Sequence, residues 1–211
     1  MNLYRYTELP YLISMLQRKK ITLTNPKNWE DKADIEVMSR YKSENFAESI
    51  YALCMAETSS QTYHHWDVFS GKKSKSGVCI VFDYDGFECW AEENSIEFKN
   101  VNYIRVSDNK FGDFVKNNSI IKNKIYEDEK ELRAVFCGNG KQKDFISFDV
   151  HDFSIINMII FNPWLDQNTY MQIKDVIKNI KGCSGIEIKK SDILKNTKWV
   201  AEFKKRSLGT E

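Results

Sequence analysis

Apolar residues in this chain occur mostly in short runs, which is the pattern of buried β-strands. The clearest run covers residues 77–82 and ends at a turn signal in residues 83–86. The other runs predict further short strands, at residues 3–6, 21–23, 51–55, 96–106, 132–137, 145–150, 155–161 and 185–188. Short strands are therefore expected to dominate the fold.

Two segments repeat apolar residues at helical spacing. The first follows Thr7, a predicted helix cap, and carries Pro10 in its first turn, where proline is tolerated. The second begins after Asp166 and places a set of apolar residues on one face: Tyr170, Ile173, Ile177 and Ile180. Residues 25–34 predict a polar loop after the short strand at residues 21–23.

The order of these elements predicts an α+β fold. Strands that do not alternate regularly with helices argue against a doubly wound parallel sheet. We therefore expect a largely antiparallel sheet flanked by a few helices. With no linker-like segment, residues 1–211 are predicted to form a single domain, with a frayed tail at residues 204–211.

The composition indicates a folded protein with a hydrophobic core and no membrane-spanning segment. Apolar residues make up 42% and aromatic residues 13% of the 211 residues, which is enough for a substantial core. The net charge of +1 gives no indication of non-specific nucleic-acid binding, although it does not exclude a local basic groove. The longest apolar run, at residues 155–161, is too short to span a membrane, and we see no signal peptide. A cytoplasmic protein with no membrane partner is expected.

Several kinds of site lose support because their motifs are missing. The sequence has no GxxxxGK[ST], GxGxxG, HExxH or GxSxG pattern, and its three histidines lack the spacing of a zinc site. The five cysteines form no CxxC pair and are expected to be reduced thiols. No metal is predicted.

Two constellations in the first third of the chain could bind a ligand. Arg5 lies between two tyrosines on the first predicted strand, where a planar guanidinium group suits a phosphate or carboxylate. An exposed arginine at a sheet edge is the alternative. Tyr63, His65 and Trp66 precede the strand at residues 77–82 and could stack on a planar ring or transfer a proton. Core packing by Trp66 and surface histidines is the alternative there.

The third constellation consists of Glu129, Glu131 and Arg133. On a strand, residues two apart face the same side, so two carboxylates and a guanidinium group would meet. Paired carboxylates repel each other unless a cation or a substrate hydroxyl compensates them. The alternative is a solvated charge run at the start of a helix, because residues 125–133 fit helix and strand alike.

In their order along the chain, these segments resemble the bacterial domain-of-unknown-function family 2971. The matching residues are Leu3 to Tyr6, Trp29, Asp31, Asp34, Cys54, Glu57, Trp66, Gly77 to Asp83, Glu129, Glu131, Arg133, Asn162, Pro163 and residues 189–191. The chain departs from the family where Glu30 and Lys32 flank Asp31 in place of Asn-Asp-Pro. The family name carries no activity.

The order of the motifs along the chain is also similar to that of ADP-ribosyltransferases, including toxins that modify nucleic acids. This resemblance implies a split sheet, NAD as a substrate, Glu131 and Glu129 as catalytic residues, and NAD binding by Arg5, Tyr63, His65, Trp66 and Arg133. It implies a toxin or phage-defence role with an RNA, DNA or protein acceptor and an antitoxin partner. Thr58, Ser59 and Ser60 only loosely match the middle motif of these enzymes.

Two other functions stay open at this point. One is a nuclease that holds Mg²⁺ through Asp31, Glu129 and Glu131, since hard cations prefer carboxylate ligands. The other is a non-catalytic interaction module of a defence or toxin–antitoxin system. Chelator sensitivity would distinguish the first of these, and indifference to Glu131→Gln the second.

Overall fold

A computed structural model describes residues 1–58, 61–69 and 76–207. Within these residues the strands are short and the helices are spread along the whole chain. The helices are α1 (Leu9–Arg18), α2 (Lys32–Glu44), α3 (Tyr63–Phe69), α4 (Tyr84–Glu93), α5 (Phe111–Lys116), α6 (Gln167–Lys178) and α7 (Thr197–Ser207). Short 3₁₀ helices cover Pro26–Asn28 and Lys124–Glu129.

The strands form one nine-stranded sheet and a separate two-stranded one. They are β1 (Asn2–Glu8), β2 (Lys20–Thr24), β3 (Ser49–Glu57), β4 (Gly77–Asp83), β5 (Glu97–Asn100), β6 (Asn102–Ile104), β7 (Ile121–Asn123), β8 (Glu131–Gly138), β9 (Phe145–Asp149), β10 (Ile156–Phe161) and β11 (Glu187–Lys190). The large sheet runs β11-β10-β4-β1-β3-β2-β9, with β8 joined to β3 and β5 joined to β8. Its pairs are antiparallel except β10 with β11, which confirms the predicted α+β fold.

The large sheet is split beside β3. β1 pairs with β4 from Asn2 to Glu8, but it pairs with β3 only at Leu3 and Tyr4. β2 then meets β3 at the single pair Thr24–Ala52. Between these two contacts β1 and β3 diverge, and the divergence opens a gap in the sheet. The split expected from the ADP-ribosyltransferase resemblance is therefore present.

Different layers cover the two faces of the sheet. Leu3, Ile80 and Phe82 belong to the main core, which also takes in residues of α1, α4 and α6. Alternate residues of the same strands, such as Tyr6 and Cys79, pack with Trp66 of α3 on the other face. A third cluster lies under α2.

Several helices of the structure were not predicted from the sequence. Residues 32–44 form α2 in place of the end of a polar loop, because the Asp31 side chain accepts hydrogen bonds from the backbone N–H groups of Ala33 and Asp34 and caps the helix. Asp83 similarly caps α4, where a turn was predicted. Thr7 lies within β1 and does not cap α1, whereas Asp166 caps α6 as predicted.

The predicted frayed tail at residues 204–211 is described only in part. Residues 204–207 form the last turn of α7, and residues 208–211 lie outside the described part of the chain. Ser59 and Ser60, which loosely matched the ADP-ribosyltransferase middle motif, also lie outside it. No described helix is long and apolar enough to cross a membrane.

Candidate active site

A cavity of about 410 Å³ opens at the split in the sheet. This volume lies within the range of small-molecule sites. Residues of β1, β3, the loop before α2 and the first turn of α2 line it together with Lys122, Glu129 and Glu131. Its other lining residues are Tyr4, Arg5, Tyr6, Asn28, Trp29, Glu30, Asp31, Asp34, Cys54, Met55 and Ala56. The site therefore combines residues from distant parts of the sequence.

Arg133 fixes the position of the Glu131 carboxylate through two hydrogen bonds. Both residues lie on β8, two positions apart, and Arg133 Nε and Nη2 donate to Glu131 Oε1 and Oε2 at 2.7 and 3.0 Å. Nη2 also lies 3.0 Å from each carboxylate oxygen of Asp34. The Trp29 ring covers the guanidinium group at 4.9 Å. Arg133 is 0% exposed and does not itself line the cavity. It therefore orients Glu131 from the protein interior.

Lys122 joins the three carboxylates on the cavity side. Its ammonium group lies 2.5 Å from Glu129, 3.4 Å from Glu131 and 3.5 Å from Asp34. The Tyr126 ring packs against the same ammonium group at 4.8 Å. Three buried carboxylates thus face two cations, Lys122 and Arg133, which supplies the compensation that closely spaced acids require.

Glu129 reaches the cavity by a different route from the one predicted. It ends the 3₁₀ helix Lys124–Glu129, and Lys130 follows in a left-handed conformation with φ of 44°. This turn separates Glu129 from β8, so the prediction of three side chains on one strand is wrong for Glu129. Glu129 and Glu131 are nevertheless both buried and both contact Lys122.

The two glutamates have different proton affinities. Burial opposes ionisation of Glu131, but the hydrogen bonds and charge of Arg133, together with the charge of Lys122, outweigh it and lower its pKa to about 2. Burial raises the pKa of Glu129 above its ordinary value, and Lys122 offsets only part of this effect. Glu131 is therefore a fixed negative charge at neutral pH, while Glu129 accepts a proton more readily.

The depressed pKa of Glu131 predicts acid-dependent stability. Its pKa falls from an ordinary 4.5 to about 2, so its stabilisation is complete above the unfolded pKa and is lost as the pH falls towards 2. The shift corresponds to about 3 kcal/mol. Urea unfolding between pH 5 and pH 2 should show a steeper loss of unfolding free energy in the parent protein than in Glu131→Gln. Glu129, whose pKa is raised, changes the unfolding free energy with pH in the opposite direction in both proteins. Equal pH dependence of the unfolding free energy in the two proteins would contradict the prediction.

Arg5 extends into the split. Its Nη1 donates to the backbone carbonyl of Cys54 on β3 at 3.0 Å, where β1 has separated from β3. Arg5 is partly buried and also lines the cavity. The contact fixes one edge of the guanidinium group and places a cation in the wall of the cavity that the carboxylate cluster also lines.

Tyr63, His65 and Trp66 do not line this cavity in the described part of the chain. His65 and Trp66 are buried, and both rings pack on Tyr6, which does line it, with ring centroids 5.5 and 5.1 Å apart. Tyr63 packs edge-on against Trp164. His65 and Trp66 therefore support the cavity wall through Tyr6, and a direct stacking role for Tyr63, His65 and Trp66 stays a prediction.

The buried thiols and the acidic side chains of this region bear on whether the site could use a cysteine nucleophile or a metal. Burial raises the pKa of both Cys54 and Cys79, which keeps these thiols protonated at neutral pH. Among the described residues, no group of three or more His, Cys, Asp or Glu side chains has a metal-binding arrangement. Asp31, a ligand in the nuclease hypothesis, caps α2 with its carboxylate.

Sequence reasoning missed Lys122 and left Asp34 without a role. Lys122 lies in the three-residue strand β7, and no local pattern distinguishes it from a surface lysine. Asp34 had a usable signal in the sequence, because it follows the helix-capping residue Asp31 by three positions. The structure places it, buried, in the first turn of α2. Trp29 was noted only as a family match, yet it contacts the central arginine.

Comparison with known proteins gives one structural likeness. No protein-family model matches the chain, and no curated protein matches it, so membership of family 2971 stays a prediction. A solved structure of Thermus sp. 2.9 DarT in complex with ADP-ribosylated ssDNA matches with a TM-score of 0.47 and 9% identity, over 90% of this chain and 93% of that one. A likeness at this level carries no argument about function. The chemistry of the cavity must carry any functional conclusion.

Proposed function

We propose that this protein is an NAD-dependent enzyme of the ADP-ribosyltransferase type. The observation that supports the proposal most directly is the meeting of Arg5, Glu129 and Glu131 in one cavity at the split of the sheet. The reaction breaks the bond between nicotinamide and ribose in NAD and transfers ADP-ribose to an acceptor. A toxin or phage-defence role, with RNA, DNA or protein as acceptor and an antitoxin partner, belongs to the same proposal.

Glu131 stabilises the reacting ribose. When the glycosidic bond breaks, its electron pair leaves with nicotinamide and positive charge develops on the ribose ring. A carboxylate that stays ionised and is held rigidly by Arg133 is suited to that charge. Because Arg133 and Lys122 already orient Glu131, little reorganisation is required when the charge develops.

Glu129 takes the proton of the acceptor. The acceptor nucleophile forms a bond to the ribose carbon that nicotinamide has left, and its proton must pass to a base. The raised pKa of Glu129 makes it the better proton acceptor of the two glutamates. Lys122, 2.5 Å away, holds its carboxylate beside Glu131.

Arg5 and aromatic residues of the cavity bind the rest of NAD. Arg5 is suited to the pyrophosphate, because a guanidinium group can donate two parallel hydrogen bonds to phosphate oxygens. We assign ring stacking first to Trp29 and Tyr6, which line the cavity, and leave Tyr63, His65 and Trp66 a supporting role. No step in this scheme uses a metal.

Substitution of Arg5 tests the binding half of the proposal. Loss of a hydrogen bond to a charged group costs about 1.5–3 kcal/mol. Arg5→Gln should therefore weaken NAD binding about tenfold or more, measured by calorimetry and by the KM for nicotinamide release. Arg18→Gln is the matched control, because Arg18 is exposed on α1. Equal NAD affinity in both variants, or no NAD binding by the parent protein, would reject the proposal.

The same cluster supports one alternative. Every carboxylate of Asp34, Glu129 and Glu131 contacts Lys122, and two of the three also contact Arg133, which is how a purely structural buried ion network would look. The protein would then be a non-catalytic interaction module. A Mg²⁺-dependent nuclease is less favoured, because the metal would have to displace the Lys122 ammonium group. Nicotinamide release that persists in chelator would favour the transferase over both alternatives. Nuclease activity that chelator abolishes would instead indicate the Mg²⁺-dependent nuclease.

A further inference from the structure

Helix α7 exposes a face that is both apolar and aromatic. All residues of Thr197–Ser207 are exposed, including Trp199 at 67% and Phe203 at 57%. Trp199, Val200 and Phe203 follow the i, i+1, i+4 spacing that places side chains on one stripe of a helix. An isolated helix of this length is marginal in water. The stripe is therefore expected to gain stability from a covering surface.

The same helix concentrates positive charge. It carries four basic residues against the single acid Glu202, a net charge of +3, whereas the whole chain has +1. The basic residues are Lys198, Lys204, Lys205 and Arg206. Glu202 is itself engaged by Arg206 at 2.7 Å. A covering surface for α7 must therefore be both apolar and negatively charged.

We propose that α7 binds the surface of a membrane that contains anionic lipids. An amphipathic helix with aromatic residues on one face and lysine or arginine beside them lies in the plane of the lipid headgroups. Tryptophan and phenylalanine enter the boundary between headgroups and acyl chains, and the cations contact lipid phosphates. This proposal goes beyond the proposed activity and does not depend on it. It departs from the expectation, drawn from the sequence, of a protein with no membrane partner.

Two other occupants fit the helix less well. The Trp199 and Phe203 rings stack on each other, with centroids 5.2 Å apart and planes 7° apart, so a nucleic-acid base cannot insert between them without separating them. A protein groove usually buries about 1,200 Å² or more in total, and three apolar side chains supply only a small part of that. Membrane binding needs no such area, because each aromatic residue and each cation adds to it separately.

Vesicle co-sedimentation of the full chain tests the proposal. The probes are phosphatidylcholine vesicles with and without phosphatidylglycerol. We expect the parent protein to sediment with the anionic vesicles and to stay in solution with the neutral ones. The double variant W199A/F203A should lower the partition coefficient about tenfold or more. The triple variant K204Q/K205Q/R206Q should lower it about 100-fold, because each cation contributes about fivefold.

The control separates α7 from exposed aromatic residues in general. Tyr11→Ala removes an aromatic ring that is 70% exposed on α1, and it should leave vesicle binding unchanged. Because α7 has no buried residue, all variants should keep the melting temperature of the parent protein. NAD binding should also be unaffected, so failure here is distinct from failure of the proposed activity.

Several outcomes would overturn the proposal. These are equal binding to neutral vesicles, no binding to anionic vesicles, or binding that survives W199A/F203A. A single-stranded oligonucleotide that binds the parent protein more tightly than the vesicles do, and loses affinity in W199A/F203A, would assign the helix to nucleic acid. A dimer in sedimentation velocity that dissociates in W199A/F203A would assign it to a second copy of the chain.

Discussion

The Glu131→Gln variant is expected to release nicotinamide from NAD about 100-fold or more slowly than the parent protein. The substitution keeps the size of the side chain and one acceptor oxygen for Arg133, but it removes the negative charge that stabilises the ribose in the proposed mechanism. Loss of one preorganised group that stabilises transition-state charge typically costs about 100-fold to 1,000-fold in rate. The effect should fall on kcat rather than on KM, because the charge on the ribose develops only in the transition state.

The matched control for this variant is Glu127→Gln. Glu127 lies in the 3₁₀ helix Lys124–Glu129, and its side chain is exposed. It should keep the parent rate, and both variants should be assayed at a temperature at which circular dichroism shows them folded. A Glu131→Gln variant that is folded and within about threefold of the parent rate would remove Glu131 from catalysis. It would favour the interaction module.

The Arg133→Met variant is expected to lose about 3–5 kcal/mol of unfolding free energy. Removal of one partner of a buried ion pair is costly because the remaining charges stay buried without compensation. Arg133 is 0% exposed and donates to both Glu131 and Asp34, so the substitution would leave Lys122 as the only cation close to three carboxylates in the described cluster. Urea unfolding monitored by circular dichroism measures the loss.

A double-mutant cycle separates the charge effect from packing. In an Asp34→Asn background, Arg133→Met should cost clearly less, because one of the uncompensated charges is absent. Arg18→Met on the exposed face of α1 is the control and should change stability by no more than about 0.5 kcal/mol. A loss below about 1 kcal/mol for Arg133→Met, or equal losses in both backgrounds, would show that the network is not coupled as the distances indicate.

The central pair of the site could be predicted from sequence because its geometry is local. Glu131 and Arg133 are two residues apart, and β-strand geometry alone places their side chains on one face. The same reasoning misplaced Glu129, since a left-handed residue at Lys130 is set by tertiary packing and leaves no trace in the pattern. Strand β4 could also be predicted from local sequence. Its residues 78–82 are all buried, so they form a continuous apolar run.

The rest of the site depends on contacts that are distant in sequence. Lys122 reaches the carboxylates only because β7 pairs with β6, and a three-residue strand carries almost no periodicity. Asp34 reaches Arg133 across ninety-nine positions in the chain. Helix α2 was missed because most of its residues are polar, so only its capping aspartate marked its start.

The split beside β3 also bears on when the proposed active site can form during synthesis of the protein. The cavity needs β1 on one side and β8 on the other, and β8 begins only at Glu131. A ribosome that has made the first 130 residues has produced Arg5, Cys54 and Lys122 but neither Glu131 nor the arginine that orients it. Because β8 pairs with β3 far back in the chain, assembly of the site is among the slower steps of folding. A chain released early by the ribosome therefore lacks the proposed activity.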